Sequence, residues 1–161
     1  PEREKLGRQQ VWLFEPQELP ALLTARDREY LDSLPLFLAV DLDGLRVLFS
    51  HAQFPDLSGS LAWRPKNHWD FQGHFRLLRE QGCRLGVSGH LHPDGIGIAH
   101  ERRFDFLRFR TYRIFPDLVQ YICPCTASSS SRNGFLVLDT AGMTMEAVAV
   151  RSGRYRNRCF R

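Results

Sequence analysis

The stretch that most constrains this chain runs from Leu85 to Gly95, and reads Leu-Gly-Val-Ser-Gly-His-Leu-His-Pro-Asp-Gly. A small apolar run meets a glycine, presents His90 and His92 one residue apart, and then turns at Pro93 and Gly95. That is the pattern of a strand that ends and hands its histidines to a loop. In an extended chain, side chains i and i+2 lie on one side. Both imidazoles can therefore aim at one spot, and imidazole nitrogen is the commonest protein ligand for a borderline metal. Gly89 lets the backbone turn sharply or come close to whatever is bound. A histidine after a strand can equally be a loop residue or a satisfied hydrogen-bonding partner, so the pair has to be weighed against the rest of the chain.

Around this stretch the order of elements is that of an α/β protein. Thr24 to Leu34, with Tyr30, Leu31 and Leu34 at helical spacing, predicts a short amphipathic helix ending before Pro35. Leu36–Asp41 and Leu45–Ser50 are apolar runs joined through Asp43-Gly44, a strong hairpin signal. The second run ends at Ser50-His51-Ala52. Residues 53–70 read as a long, polar, lid-like loop. Phe71 to Gln81 predicts a helix with Phe75 and Leu78 on one face and Gly82 at its end. Cys83 to Val87 is then the strand that delivers the histidines. Phe104 to Phe115 mixes aromatics with Arg108, Arg110 and Arg113, and reads as a half-exposed strand rather than a nucleic-acid face. Leu118 to Cys123 predicts a further strand. A loop holding the serine run 128–131 follows, and Phe135–Asp139 with Met145–Val150 close the chain as a hairpin.

At 161 residues the chain suits one domain with a real core. With 43% apolar and 25% charged residues it has an ordinary globular composition, and no apolar run approaches the roughly 20 residues of a membrane span. With no signal peptide in view, the expected compartment is the cytoplasm. Cys83, Cys123, Cys125 and Cys159 form no tidy disulfide framework and are expected to be reduced. The net charge of +4 is carried almost wholly by arginine, and the tail from Arg151 to Arg161 would attract polyanions at low salt.

Three histidines stand just past the carboxyl ends of apolar strands: His51, His90 and His92. Ligands gather outside those ends in α/β sheets. The order Ser50-His51-Ala52, helix, apolar strand, Gly89-His90-Leu91-His92 resembles the C-terminal half of the calcineurin-like metallophosphoesterases. Tyr121 to Ser128, then Arg132-Asn133-Gly134 and the strand after it, resemble that family's Asn-Pro-Gly-Ser loop and final strands. Cys123 and Cys125 here replace the family's Asn and Gly. The likeness runs from about residue 30 to 150.

The resemblance implies an α/β fold over residues 1–161: a layered β-sandwich with flanking helices, equivalent to the C-terminal half of the metallophosphoesterase domain. It implies that His51 and His90 ligate one divalent ion and His92 a second, the metals being Mn, Fe, Zn or Ni. Two such ions about 3.5–4 Å apart would clamp a phosphate ester and activate a bridging water. Ligation needs neutral imidazole, so metal binding should weaken below about pH 6. The family's Asp-X-His, Gly-Asp-X-X-Asp and Gly-Asn-His motifs are absent from this sequence. The chain alone is therefore expected to be inactive, completed either by an N-terminal segment or by another chain, or else to serve as a scaffold or binding module. His68 and Trp69 are candidate substrate contacts, although surface or capping roles suit His68 and His74. Asp94 reads as a turn residue that could orient a histidine, His100 as exposed, and nucleic acid as no structural partner.

Overall fold

The computed structural model describes residues 23–59, 64–114, 117–126 and 133–150. The polar amino-terminal stretch, the serine run, Arg132 and the arginine-rich tail lie outside them. Helix α1 (Ala25–Ser33) is set by a capping box in which Thr24 and Asp27 satisfy each other's backbone N–H groups. Its expected apolar face is uncovered among the described residues: Tyr30, Leu31 and Leu34 are all exposed. Strands β1 (Phe37–Leu42) and β2 (Leu45–Ser50) form the expected hairpin. Asp43 and Gly44 both take positive φ, as a two-residue turn matched to strand twist requires.

A 3-10 turn (His68–Phe71) leads into α2 (Gln72–Glu80), and then β3 (Leu85–Ser88). Next come β4 (Ile96–His100), β5 (Arg103–Leu107), β6 (Thr111–Arg113), β7 (Val119–Ile122), β8 (Gly134–Asp139) and β9 (Thr144–Ala149). Six strands form one sheet in the order β1-β2-β3-β7-β4-β5, and three form another in the order β6-β9-β8. Strand β4 has no counterpart among the strands read from the sequence. Packing demands Gly97: a Cβ there would lie 2.8 Å from the Ile122 side chain on the neighbouring strand. The stretch 104–115 is likewise two strands, β5 and β6, divided between the two sheets.

Period-2 alternation builds two cores on the two faces of the large sheet. Leu45, Val47, Leu85, Val87, Ile98, Val119 and Tyr121 point one way and pack against Met145, Ala147 and Ile114 on the side of the small sheet. Leu48, Ala99 and Ile122 point the other way, against Phe71, Phe75 and Leu78 of the 3-10 turn and α2. Each such aliphatic side chain, fully buried, stabilises the fold by about 1.5–3 kcal/mol. The layering is small sheet, large sheet, helix, which bears out the α/β sandwich expectation.

The central strands β2, β3 and β7 are parallel. Ser50 pairs with Ser88, and Ser88 with Ile122, so all three strands end level. His51, Gly89 and Cys123 therefore stand side by side at the carboxyl edge. Gly89 N–H donates to the His51 carbonyl (3.0 Å) and Cys123 N–H to the Ser88 carbonyl (2.7 Å), which extends the sheet by one residue.

Candidate functional site

The histidines of the first and second strand ends meet. His51 Nε2 and His90 Nδ1 are 3.3 Å apart, with the rings edge to face and their centroids 5.2 Å apart. His90 and His92 both have positive φ (67° and 50°), a backbone region that non-glycine residues seldom enter. Because that conformation is costly, the surrounding structure must impose it, and such residues cluster at functional sites. His92 is exposed on the same loop. Partial burial, and then the neighbouring His51 ring, hold His90 below the usual histidine range, with Asp56 pulling the other way. Partial burial, then Arg64, then His51, lower His92. Both rings are thus neutral at pH 7, the form that can ligate a metal.

Residues 53–59, the first part of the stretch 53–70 read as a loop, fold back over this pair. Ala52 N–H donates to the Leu57 carbonyl, Asp56 N–H to Gln53, and Gly59 N–H to Asp56, at 3.0–3.1 Å. Gly59 closes the turn at φ +70 and lies directly against both imidazoles. A Cβ there would stand 2.6 Å from His90 Nδ1 and 2.7 Å from His51 Cδ2, so any larger residue must displace the rings. The same loop buries Asp56 next to His90, with Ser58 Oγ donating to its carboxylate (2.7 Å). The sequence reading passed over Asp56; its spacing from His51, with Gly59 just beyond, was the available signal.

Beneath the histidines lies a buried polar network that was also unexpected. His74 is fully buried on α2 instead of at the surface. Its Nδ1 accepts from Phe54 N–H (3.1 Å), so Nε2 carries the proton and donates to Gln120 Oε1 (2.7 Å). Gln120 Nε2 donates in turn to Ser88 Oγ (2.8 Å) and to the Tyr121 carbonyl (2.9 Å). Gln53 also hydrogen-bonds Ser88, through its amide nitrogen. Burial drives His74 down to about 4, fixing it as neutral. Gly86 must be glycine, because a Cβ would fall 1.8 Å from Gln120 Oε1. Ser88 and Gln53 belong to the two segments that carry His90 and His51, so the network holds both strand ends.

The remaining candidates are placed as follows. His68 and Trp69 stack on each other in the 3-10 turn (centroids 4.6 Å), Trp69 being 70% exposed, and neither lines the cleft beside the histidines. Asp94 is an exposed turn residue on that cleft. His100 ends β4 half-buried, not exposed as expected, and burial lowers its pKa. Cys83, Cys123 and Cys125 are in no disulfide, and burial pushes Cys123 up to about 11, which marks it as a packed thiol, not a ready ligand.

Two imidazole nitrogens on one tetrahedral ion, with bonds of about 2.0–2.1 Å, lie about 3.3 Å apart. The His51–His90 separation fits that edge. Among the described residues, however, no group of three or more His, Cys, Asp or Glu side chains converges tightly enough to hold a metal. The donor set is compatible with an ion at this pair but incomplete.

Comparison with solved structures identifies the architecture. A metallophosphoesterase from Sphaerobacter thermophilus superposes with a TM-score of 0.60, covering 80% of this chain and 53% of its own, at 13% identity. The fold is metallophosphoesterase-like. A hypothetical protein from Pyrococcus horikoshii OT3 superposes at 0.53, over 80% of this chain and 45% of its own, with 10% identity. The chain thus spans about half the length of these structures. No family model and no curated protein matches the sequence. Among the described residues, no helix is long and apolar enough to cross a membrane.

Proposed function

We propose that the chain contributes the carboxyl-edge histidines of a metal-dependent phosphoesterase. His51 and His90 would ligate one divalent ion (Mn, Fe, Zn or Ni), and His92 would face a second. The observation that carries this reading is the meeting of two imidazoles, 3.3 Å apart, at level ends of neighbouring parallel strands. When bound, divalent ions polarise a phosphoryl oxygen and supply hydroxide at neutral pH. The chain's own residues set the stage. Gly59 shields one side of the ring pair, Asp56 sits behind His90, and Arg64, close enough to act on both His90 and His92, attracts an anionic ester. The carboxylate ligands would come from a segment or chain beyond the described residues.

The test is metal analysis and phosphate-ester hydrolysis on the full chain with added Mn or Zn. Metal bound at the pair should be lost in His51→Ala and in His90→Ala and kept in His68→Ala. A second reading, a scaffold or binding module of the same fold, draws on the incomplete donor set. Absence of both metal and turnover at every metal concentration would favour it and overturn the first.

A further inference from the structure

Beside the histidine loop lies a cleft of about 650 Å³, within the range of small-molecule sites. Leu91 and Pro93, the two neighbours of His92, line it, as does Arg64, which acts electrostatically on His92. The rest of the lining combines cations and rings. Arg108 and Arg110 join Arg64, with Asp94 as the acid in the cleft. The ion pairs among the described residues, Arg46–Asp41, Arg76–Glu80, Arg79–Glu101 and Arg103–Asp105, use none of these three arginines. Two rings face the same space: Phe106, 55% exposed on the edge strand β5, and Tyr112 on β6. The Arg110 guanidinium lies 4.8 Å over the Tyr112 ring, and Tyr112 Oη is anchored by donating to the Arg108 carbonyl (2.6 Å).

Exposed rings are poor partners for simple sugar phosphates and good ones for a flat π-system. Guanidinium groups add an anion requirement and stack on rings themselves. We propose that this cleft binds a nucleoside monophosphate unit, its base against the Phe106 and Tyr112 side and its charge met by Arg64 and Arg110. The assignment names a substrate class for the phosphoesterase reading and rests on it for that role: a phosphate carried by such a nucleotide would lie toward His90 and His92. The binding itself is independent of turnover. A cleft of this size suits one nucleotide better than a polymer.

The experiment is titration of the full chain, without metal, with 5′-AMP, adenosine, ribose 5-phosphate and a short single-stranded DNA, followed by calorimetry. AMP should bind roughly tenfold or more tighter than either adenosine or ribose 5-phosphate, as expected when ring stacking and charge act together. Phe106→Ala and Arg110→Gln, both at exposed positions, should each weaken AMP roughly tenfold while circular dichroism stays unchanged. Equal affinity for AMP and ribose 5-phosphate, binding of the oligonucleotide alone, or unaltered AMP affinity in both variants would overturn the proposal. AMP binding with no hydrolysis of any nucleotide in Mn would keep the cleft and remove its substrate role. Hydrolysis of a simple aryl phosphate together with no detectable AMP binding would keep the phosphoesterase reading and overturn the cleft proposal.

Discussion

Both faces of the large sheet bury a hydrophobic cluster, but among the described residues only one of them also holds a polar network. Toward the small sheet the strands present Leu, Val, Ile and one Tyr, and that face gains its stability from area removed from water. Toward α2 the sheet also buries an apolar cluster, Leu48, Ala99 and Ile122 against Phe71, Phe75 and Leu78, but there the central strands add Ser88 and Gln120, tied to His74 and Gln53 by directional hydrogen bonds. A hydrophobic layer tolerates small shifts, whereas a fully buried polar network holds its members in place and costs much if broken. The face with the network is the one tied to the two histidine-bearing segments, through Ser88 and Gln53. Site geometry therefore draws on the α2 side, while both sides contribute buried apolar area.

The largest test of that division is Leu85→Ala. It should cost about 2–5 kcal/mol in thermal or denaturant unfolding, because the cavity opens in the inter-sheet core. The His51–His90 resonances in NMR should be little altered at temperatures where the variant is folded. Large movement of those rings would show that the two faces are not separable.

Next comes pH. His74 titrates at about 4 in the fold against 6.5 in an unfolded chain, so between those values the unfolded chain binds the extra proton. The stability owed to neutral His74 is complete above pH 6.5 and is lost as the pH falls toward 4. The loss is on the order of 3 kcal/mol at most. Denaturant midpoints from pH 7 to 4 should show this slope, and His74→Asn should flatten it. A slope that survives the substitution would point to other groups.

The smallest effect on stability belongs to Gly59→Ala, about 1–2 kcal/mol for a residue held at positive φ. Its effect on the site should be out of proportion, since the new methyl meets both imidazoles. Thermal melts would give the first quantity and the histidine ring shifts the second. A variant with a normal melt and unmoved rings would contradict the close packing of the loop on the pair.

What could be read from the sequence was what depends on neighbours along the chain. Asp43-Gly44 announced its hairpin, short apolar runs announced β2, β7 and β8, and Gly89-His90-Leu91-His92 announced a strand end facing a site. What could not be read depends on partners far away. His74 looks like a surface histidine until Gln120 arrives 46 positions later. Gly97 looks like a loop glycine until Ile122 packs on it. Asp56 reaches His90 only because the chain closes at Ala52–Leu57 and Asp56–Gly59. The pairing of His51 with His90 was inferred from resemblance in the order of elements, and it required the parallel register of β2 and β3 to become a distance.

That register also bears on how the molecule folds. Val47 must find Leu85, and Leu85 must find Val119, since parallel neighbours cannot be joined by a tight turn. Such distant pairings carry a loop-closure cost before any contact rewards them, and they slow folding. The imidazole pair therefore has no local precursor: it comes into being with the central sheet. Whatever binds there selects the folded chain over the unfolded one, and by mass action it should raise the stability of all three central strands at once.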